Sequence, residues 1–188
     1  MTHILVSGAA SLVESVSQAL HAQGADVTGI SDLADIPAAC ADAGKSAFDA
    51  YVQLPATFQV EGKTAIARVH HFYAAGVLAR FTALDAAMPS LMPGARLTFV
   101  LGVLPREAAT EDDRDARRAL TRVLSHAARA DLAGGQLTVR MLDSGTPPDE
   151  IAQVALGRRP GPESFTARAD LSYDDWRVEV MGLFAMET

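Results

Sequence analysis

A three-layer α/β sandwich, with helices on both sides of one doubly wound and mostly parallel sheet, is the fold class this sequence predicts. Three observations point to it. Short apolar runs such as Ile4-Leu5-Val6 suit central parallel strands covered on both faces. Segments of helical periodicity separate those runs, and the connections are short and rich in Gly, Pro and Ser. Strand and helix alternate up to residue 156, with no internal repeat, low-complexity stretch or interdomain linker. Residues 1–188 therefore read as one domain, with 160–188 as a C-terminal tail that is an edge strand or a docking segment.

The first strand holds Ile4, Leu5 and Val6, and Ser7-Gly8-Ala9-Ala10-Ser11 makes the turn, with Ser11 as the expected N-cap. Leu12, Val13, Val16, Ala19 and Leu20 then recur at helical spacing, and Gly24 ends the helix as a C′ glycine. Residues 26–31 form a second strand, and 32–47, rich in Ala and Asp, a short helix or irregular crossover. Residues 48–55 form the third strand, ended by Pro55.

After a loop through Lys63, one long helix is expected over 64–88, with Ile66, Val69, Phe72, Tyr73, Val77, Phe81 and Leu84 as its buried stripe. Pro89 and the Pro93-Gly94 pair stop it. Residues 96–102 are the fourth strand. Glu111-Asp112-Asp113 open a helix over 111–133, where negative charge suits the N-terminal dipole, and Gly134-Gly135 close it. Residues 136–142 are the fifth strand, and Pro147-Pro148-Asp149-Glu150 start a helix that reaches Leu156. In the tail, 164–169 and 176–181 are candidate strands.

The bulk numbers exclude several classes of function. At 188 residues, 49% hydrophobic and 21% charged, the chain has an ordinary globular composition and enough length for one buried core. It has no apolar run of the roughly 18 residues a membrane span needs, so no membrane partner is expected. No basic region precedes the first apolar run, so no signal peptide is expected. Cys40 stands alone, which excludes an internal disulfide and fits a cytoplasmic setting; among Pro37, Ala38, Ala39 and Ala41 it reads as a small buried residue. A net charge of −7 argues against nucleic acid as a partner.

Several collinear segments resemble the short-chain dehydrogenase/reductase family. Ile4-Leu5-Val6-Ser7-Gly8-Ala9-Ala10 is similar to the family's first strand and turn. Ala86-Ala87-Met88-Pro89, then Pro93-Gly94-Ala95-Arg96-Leu97-Thr98-Phe99-Val100, resemble the end of its interface helix and the strand before its catalytic serine. Ala119-Leu120-Thr121-Arg122-Val123-Leu124 resembles the helix after its Tyr-Lys pair, and Val139-Arg140-Met141-Leu142-Asp143-Ser144-Gly145 the strand leading to its Pro-Gly turn. Together these cover residues 1–156 and imply a Rossmann-like fold. The interval from Gly8 to Gln53 is too short for the family's usual third strand and helix, so a trimmed sheet is expected.

The residues that carry the family's chemistry are replaced. Its Tyr-x-x-x-Lys pair uses the lysine to lower the phenol's pKa for proton transfer. This chain has two lysines, Lys45 and Lys63, and Ala41 and Gln59 stand four residues before them. By alignment the tyrosine falls near Thr110, the lysine near Arg114 and the serine at Leu101 or Gly102; an arginine cannot reproduce the lysine's geometry. Tyr173 and Arg177 imitate the spacing, but in the tail. In the turn Thr-Gly-x-x-x-Gly-x-Gly, Ser7-Gly8 match the start, while Leu12 and Glu14 replace the later glycines. A carboxylate beside a phosphate repels it by about 4 kcal/mol at about 4 Å and an effective dielectric of about 20; facing solvent, Glu14 instead aids the helix dipole. The segment Gln53-Leu54-Pro55-Ala56 replaces the family's Asn-Asn-Ala-Gly. Vestigial cofactor contacts are thus expected at Ser7, Gly8 and Gln53, and at Asp32, which either binds a ribose hydroxyl or caps a turn.

Other constellations carry less. Gly62-Lys63-Thr64 looks like the end of a phosphate loop, but Thr57 holds the place of its first glycine. His70 and His71 are neighbours in sequence and point apart on a helix, so no metal site is expected. His126 reads as a packing or interface residue, and Asp143-Ser144 follow a strand end without a Gly-x-Ser-x-Gly elbow. Arg114, Arg117, Arg118 and Arg122 make a basic helix face, either solvated beside Glu111, Asp113 and Asp115 or turned to an acidic partner.

The expectation is therefore a catalytically silent protein of this fold, with no catalytic residue and no cofactor. It would serve as a dimeric scaffold, a homo-oligomer or a hetero-oligomer with an active reductase, through helices 64–88 and 111–133. The alternatives are an atypical oxidoreductase using NAD or NADP, and a small-ligand sensor near Gly8, Gln53 and Gly102.

Overall fold

The computed structural model describes residues 1–55, 61–71, 74, 75, 78–100, 138–142, 145–159 and 163–166. The expected helix over 111–133, the candidate strand over 176–181, and Leu101, Gly102, Thr110, His126, Asp143, Ser144 and Tyr173 lie outside the described residues. The strands are β1 (His3–Ser7), β2 (Asp26–Ile30), β3 (Phe48–Gln53), β4 (Leu91–Val100), β5 (Thr138–Leu142) and β6 (Glu163–Thr166). The α-helices are α1 (Ala10–Ala22), α2 (Ile36–Ala43), α3 (Ala65–His71), α4 (Ala79–Ala87) and α5 (Pro148–Ala155).

The strands form one sheet in the order β2-β1-β3-β4-β5-β6. All neighbours run parallel except β6, which pairs antiparallel with β5. A doubly wound, mostly parallel α/β fold is therefore what the sequence builds. Among the described residues no strand lies outside β2, in keeping with a trimmed sheet.

Two apolar layers cover the sheet. On one face Ile4, Val6, Ala50, Val52 and Leu142 pack against Val13, Val16 and Leu20 of α1 and Ile151 and Val154 of α5. On the other, Leu5, Phe48, Tyr51, Leu97 and Phe99 pack against Ile36 and Cys40 of α2 and Ala83, Leu84 and Ala87 of α4. The alternation of Ile4 and Val6 with Leu5 is the period-two pattern of a strand buried on both sides. Cys40 is the small buried residue its alanine neighbours suggested.

Helix α1 ends in a Schellman motif: the Gly24 N–H donates to His21 O at 2.9 Å and the Ala25 N–H to Leu20 O at 3.1 Å, with Gly24 at φ 83°. Its start departs from expectation. Ala9, not Ser11, is the N-cap, and its carbonyl accepts the Leu12 and Val13 N–H groups at 2.9 Å each. The Ala9 N–H is itself held by Pro55 O at 2.8 Å, so the chain turns helical two residues earlier.

Within the expected helix over 64–88, the described residues are α-helical at Ala65–His71 and Ala79–Ala87. Between α3 and α4, Ala74, Ala75 and Leu78 take the wider π-helical geometry, which resets the helical phase. Ile66 is 83% exposed, whereas Leu84 is buried at 3%. Phe72, Tyr73 and Val77 lie outside the described residues, as do the side chains of Val69 and Phe81.

Strand β4 also begins earlier than expected, at Leu91. Its pairing with β3 jumps from Phe48↔Leu91 to Ala50↔Arg96, so the Pro93-Gly94 pair lies in a bulge inside the strand. Gly94, at φ 81°, supplies the positive dihedral there. Helix α4 has already ended at Ala87, followed by a 3₁₀ turn over Met88–Ser90.

Candidate functional site

In an open α/β sheet the ligand crevice lies beyond the carboxyl ends of the strands, where the winding direction reverses. The order β2-β1-β3 puts that point between β1 and β3. Ser7 stands level with Gln53 there, and Gly8 follows Ser7 directly. Three of the four candidate residues, Ser7, Gly8 and Gln53, are thus brought together. Asp32 stands apart, past the end of β2, where its Oδ1 accepts the Ala34 N–H at 3.0 Å and caps a short 3₁₀ turn.

The two chain segments are stitched together beyond the last strand residues. The Leu54 N–H donates to Ser7 O at 2.7 Å, and the Ala9 N–H to Pro55 O at 2.8 Å. On the other side the Gly8 N–H donates to Ile30 O at 3.1 Å. Gly8 has φ 144°, and a Cβ placed on it would sit 2.6 Å from Leu54 Cβ. Only glycine allows this approach.

Beneath the turn lies a buried polar network. Ser7 Oγ and Tyr51 Oη are 2.7 Å apart. Gln53 Nε2 donates to Tyr51 Oη at 3.3 Å and to Arg80 O at 2.7 Å. The Arg80 Nη2 donates in turn to Gln53 O at 3.4 Å, Leu54 O at 3.1 Å and Val100 O at 3.2 Å. Tyr51 and Arg80 are the members that sequence reasoning missed. Tyr51 lies two residues before Gln53 and so shares its strand face, a pattern present in the sequence.

Burial pushes the Tyr51 hydroxyl above its usual range, against the opposing pull of Ser7, Gln53 and the Arg80 charge. Below about pH 10 the phenol is protonated in folded and unfolded chains alike and adds no slope. Above that, the unfolded chain loses its proton first, so stability falls with rising pH by about 1.4 kcal/mol per unit until the folded-state pKa is passed. Burial also raises the Cys40 thiol, which adds a loss of the same sign from about pH 9. Urea unfolding between about pH 8 and 11 measures the total. Tyr51→Phe should remove the later part of the slope and Cys40→Ala the earlier part.

A dinucleotide fits these residues poorly. The turn amides of Gly8 and Ala9 already serve the carbonyls of Ile30 and Pro55. Leu12, at the second glycine position, leans on the apolar layer under α1. Glu14, at the third, is exposed and lies 3.5 Å from Gln18 Nε2, the solvated arrangement. The Gln53 amide is turned inward, and the Asp32 carboxylate is engaged in its own turn. No step involving NAD(P) is derived from this geometry.

Among the described residues no group of three or more His, Cys, Asp or Glu side chains is placed to hold a metal ion. His70 is exposed, while His71 turns its Nδ1 toward the Glu61 N–H at 3.0 Å. No helix among the described residues is long and apolar enough to cross a membrane.

No protein-family model matches the chain, and no curated protein matches it. Solved structures do. A Burkholderia multivorans protein described as a short-chain alcohol dehydrogenase superposes with a TM-score of 0.61 at 14% identity, over 87% of this chain and 94% of its own. An Aeromonas hydrophila protein described as a short-chain dehydrogenase/reductase family oxidoreductase gives 0.60 at 18% identity, over 89% and 97%. A doubly substituted short-chain dehydrogenase/reductase of Serratia marcescens gives 0.57 at 19% identity, over 83% and 88%. The fold is that of the short-chain dehydrogenases/reductases. At these identities the likeness carries the fold and leaves the chemistry to the residues of the site.

Proposed function

We propose that this protein is a catalytically silent domain of the short-chain dehydrogenase/reductase fold, acting as a dimeric scaffold or as the non-catalytic partner of an active reductase. One observation carries the reading: the chain has no tyrosine four residues before either of its lysines. The surroundings agree. Lys45 is exposed in the connection that enters β3, at the amino end of the sheet, opposite the crevice. Lys63 is exposed before α3. Tyr51, the phenol beneath the crevice, is buried with its hydroxyl engaged by Ser7 and Gln53. Ser7, Gly8, Asp32 and Gln53 are then vestiges of a cofactor site, and no cofactor is required.

Association needs only shape and apolar area, so it outlasts the loss of chemistry. Ile66, 83% exposed, and Leu78, 51% exposed, support an interface along the segment that holds α3 and α4. A cytoplasmic setting accords with the lone Cys40.

The test is a titration of the purified protein with NAD(H) and NADP(H), alongside a turnover assay and a sedimentation measurement of mass. The expected results are no turnover, no binding tighter than about 100 μM (about −5.5 kcal/mol), and a mass of at least twice the 19.8 kDa chain. Robust turnover with either nucleotide would overturn the reading in favour of an atypical oxidoreductase.

A further inference from the structure

We infer that Arg80 is an internal lock on the crevice: its guanidinium holds the Gln53–Pro55 segment, through the Gln53 and Leu54 carbonyls, against the Ser7–Ala9 turn and ties both to the end of β4. A single nitrogen, Nη2, lies within 3.4 Å of the carbonyls of Gln53, Leu54 and Val100, which end two adjacent parallel strands. The grip is reciprocal, since the Arg80 carbonyl accepts Gln53 Nε2 at 2.7 Å. The segment that Arg80 holds from the α4 side is the one whose other edge meets β1. Leu54 N–H reaches Ser7 O there, and Pro55 O receives the Ala9 N–H.

A cation donating to several carbonyls makes charge-assisted bonds about twice as strong as neutral ones, and burial strengthens them. Arg80 is 9% exposed. Gln53 and Tyr51 extend the lock to Ser7, so three strand ends move as one unit. Parting β3 from β4 at their carboxyl ends requires the guanidinium to leave its carbonyls, while the Leu54, Ala9 and Tyr51 contacts hold β1 to the same segment. The floor of the crevice is therefore fixed by a side chain carried on α4. This deepens the reading of a silent domain, and the two fail separately: dinucleotide turnover by the unaltered protein would end the silence without touching the lock.

Amide hydrogen exchange, residue by residue, tests the lock. In the wild-type protein the Leu54 and Ala9 amides should be protected as well as the bridging amides at the far end of the sheet, Asp26 to Thr2 O and Ala47 to Ser90 O. In Arg80→Met the Leu54 and Ala9 amides should exchange roughly tenfold to a hundredfold faster, the factor a hydrogen bond to a charged group carries, while Asp26 and Ala47 hold. Arg80→Lys keeps the charge without the planar fork and should show a smaller increase at the same two amides. Exchange of Leu54 and Ala9 at the rate of an exposed turn in the wild type would overturn the lock, whether or not the variants fold. So would unchanged protection in a folded Arg80→Met or Arg80→Lys.

Discussion

Replacing Gly8 by alanine should lower the free energy of unfolding by about 2–5 kcal/mol, summing a strained backbone and an overpacked contact. The new Cβ would stand 2.6 Å from Leu54 Cβ and 2.9 Å from Leu54 O, distances that neither partner relieves easily. Leu54 is fixed from both sides, by its N–H on Ser7 O and by Arg80 Nη2 on its carbonyl. The φ of 144° adds strain that alanine does not tolerate. The lower unfolded-state entropy of alanine offsets only about 0.4–1 kcal/mol. Gly44→Ala is the control: φ there is 90°, but nothing lies within 4 Å of the added Cβ. It should cost about 1–3 kcal/mol, the dihedral alone, since φ 90° with ψ −175° lies in a region that glycine alone adopts readily. Urea midpoints at constant m-value separate the two substitutions, and equal losses would mean that the contact with Leu54 does not constrain the turn.

The parts of this molecule that were legible in the sequence are those decided by local chemistry. The run Ile4-Leu5-Val6 faces two layers at once, so its apolar continuity declares a central parallel strand. Gly24 closes α1 because the Schellman geometry demands a positive φ. The Ser7-Gly8 turn and Gln53 were found through their resemblance to the family's first turn and its Asn-Asn-Ala-Gly segment. The illegible parts were decided by contacts distant in sequence. Ser11 has the right side chain for an N-cap, but Pro55 captures the Ala9 amide and starts the helix sooner. Asp32 offered both a ribose contact and a turn cap on residue type, and the structure shows the cap, on the Ala34 N–H. Arg80 lies in an apolar stretch where a charge signals an interior partner. Its partners are the main-chain carbonyls of Gln53, Leu54 and Val100, groups that every residue carries and no sequence pattern marks.

The π-helical residues between α3 and α4 separate two outcomes that a uniform α-helix would make alike. On an unbroken helix Ile66 and Leu84 lie five turns apart on one stripe, and truncating either would open the same kind of cavity. With the phase reset, Leu84 remains in the layer with Ile36, Cys40 and Met88, whereas Ile66 faces outward. Leu84→Ala should therefore destabilise the fold by about 2–5 kcal/mol through lost transfer energy and an unfilled cavity. Ile66→Ala should change stability by less than about 0.5 kcal/mol, because alanine favours the helix and little burial is lost. If Ile66 is an anchor of the proposed interface, its cost appears in association instead: the variant should sediment at the mass of one chain while its unfolding midpoint, measured well below the association range, stays put. A large loss of monomer stability in Ile66→Ala would restore the continuous helix and remove the exposed face on which that interface depends. A small loss in Leu84→Ala would place α4 off the sheet, and the Arg80 guanidinium it carries would then have no fixed route to the ends of β3 and β4.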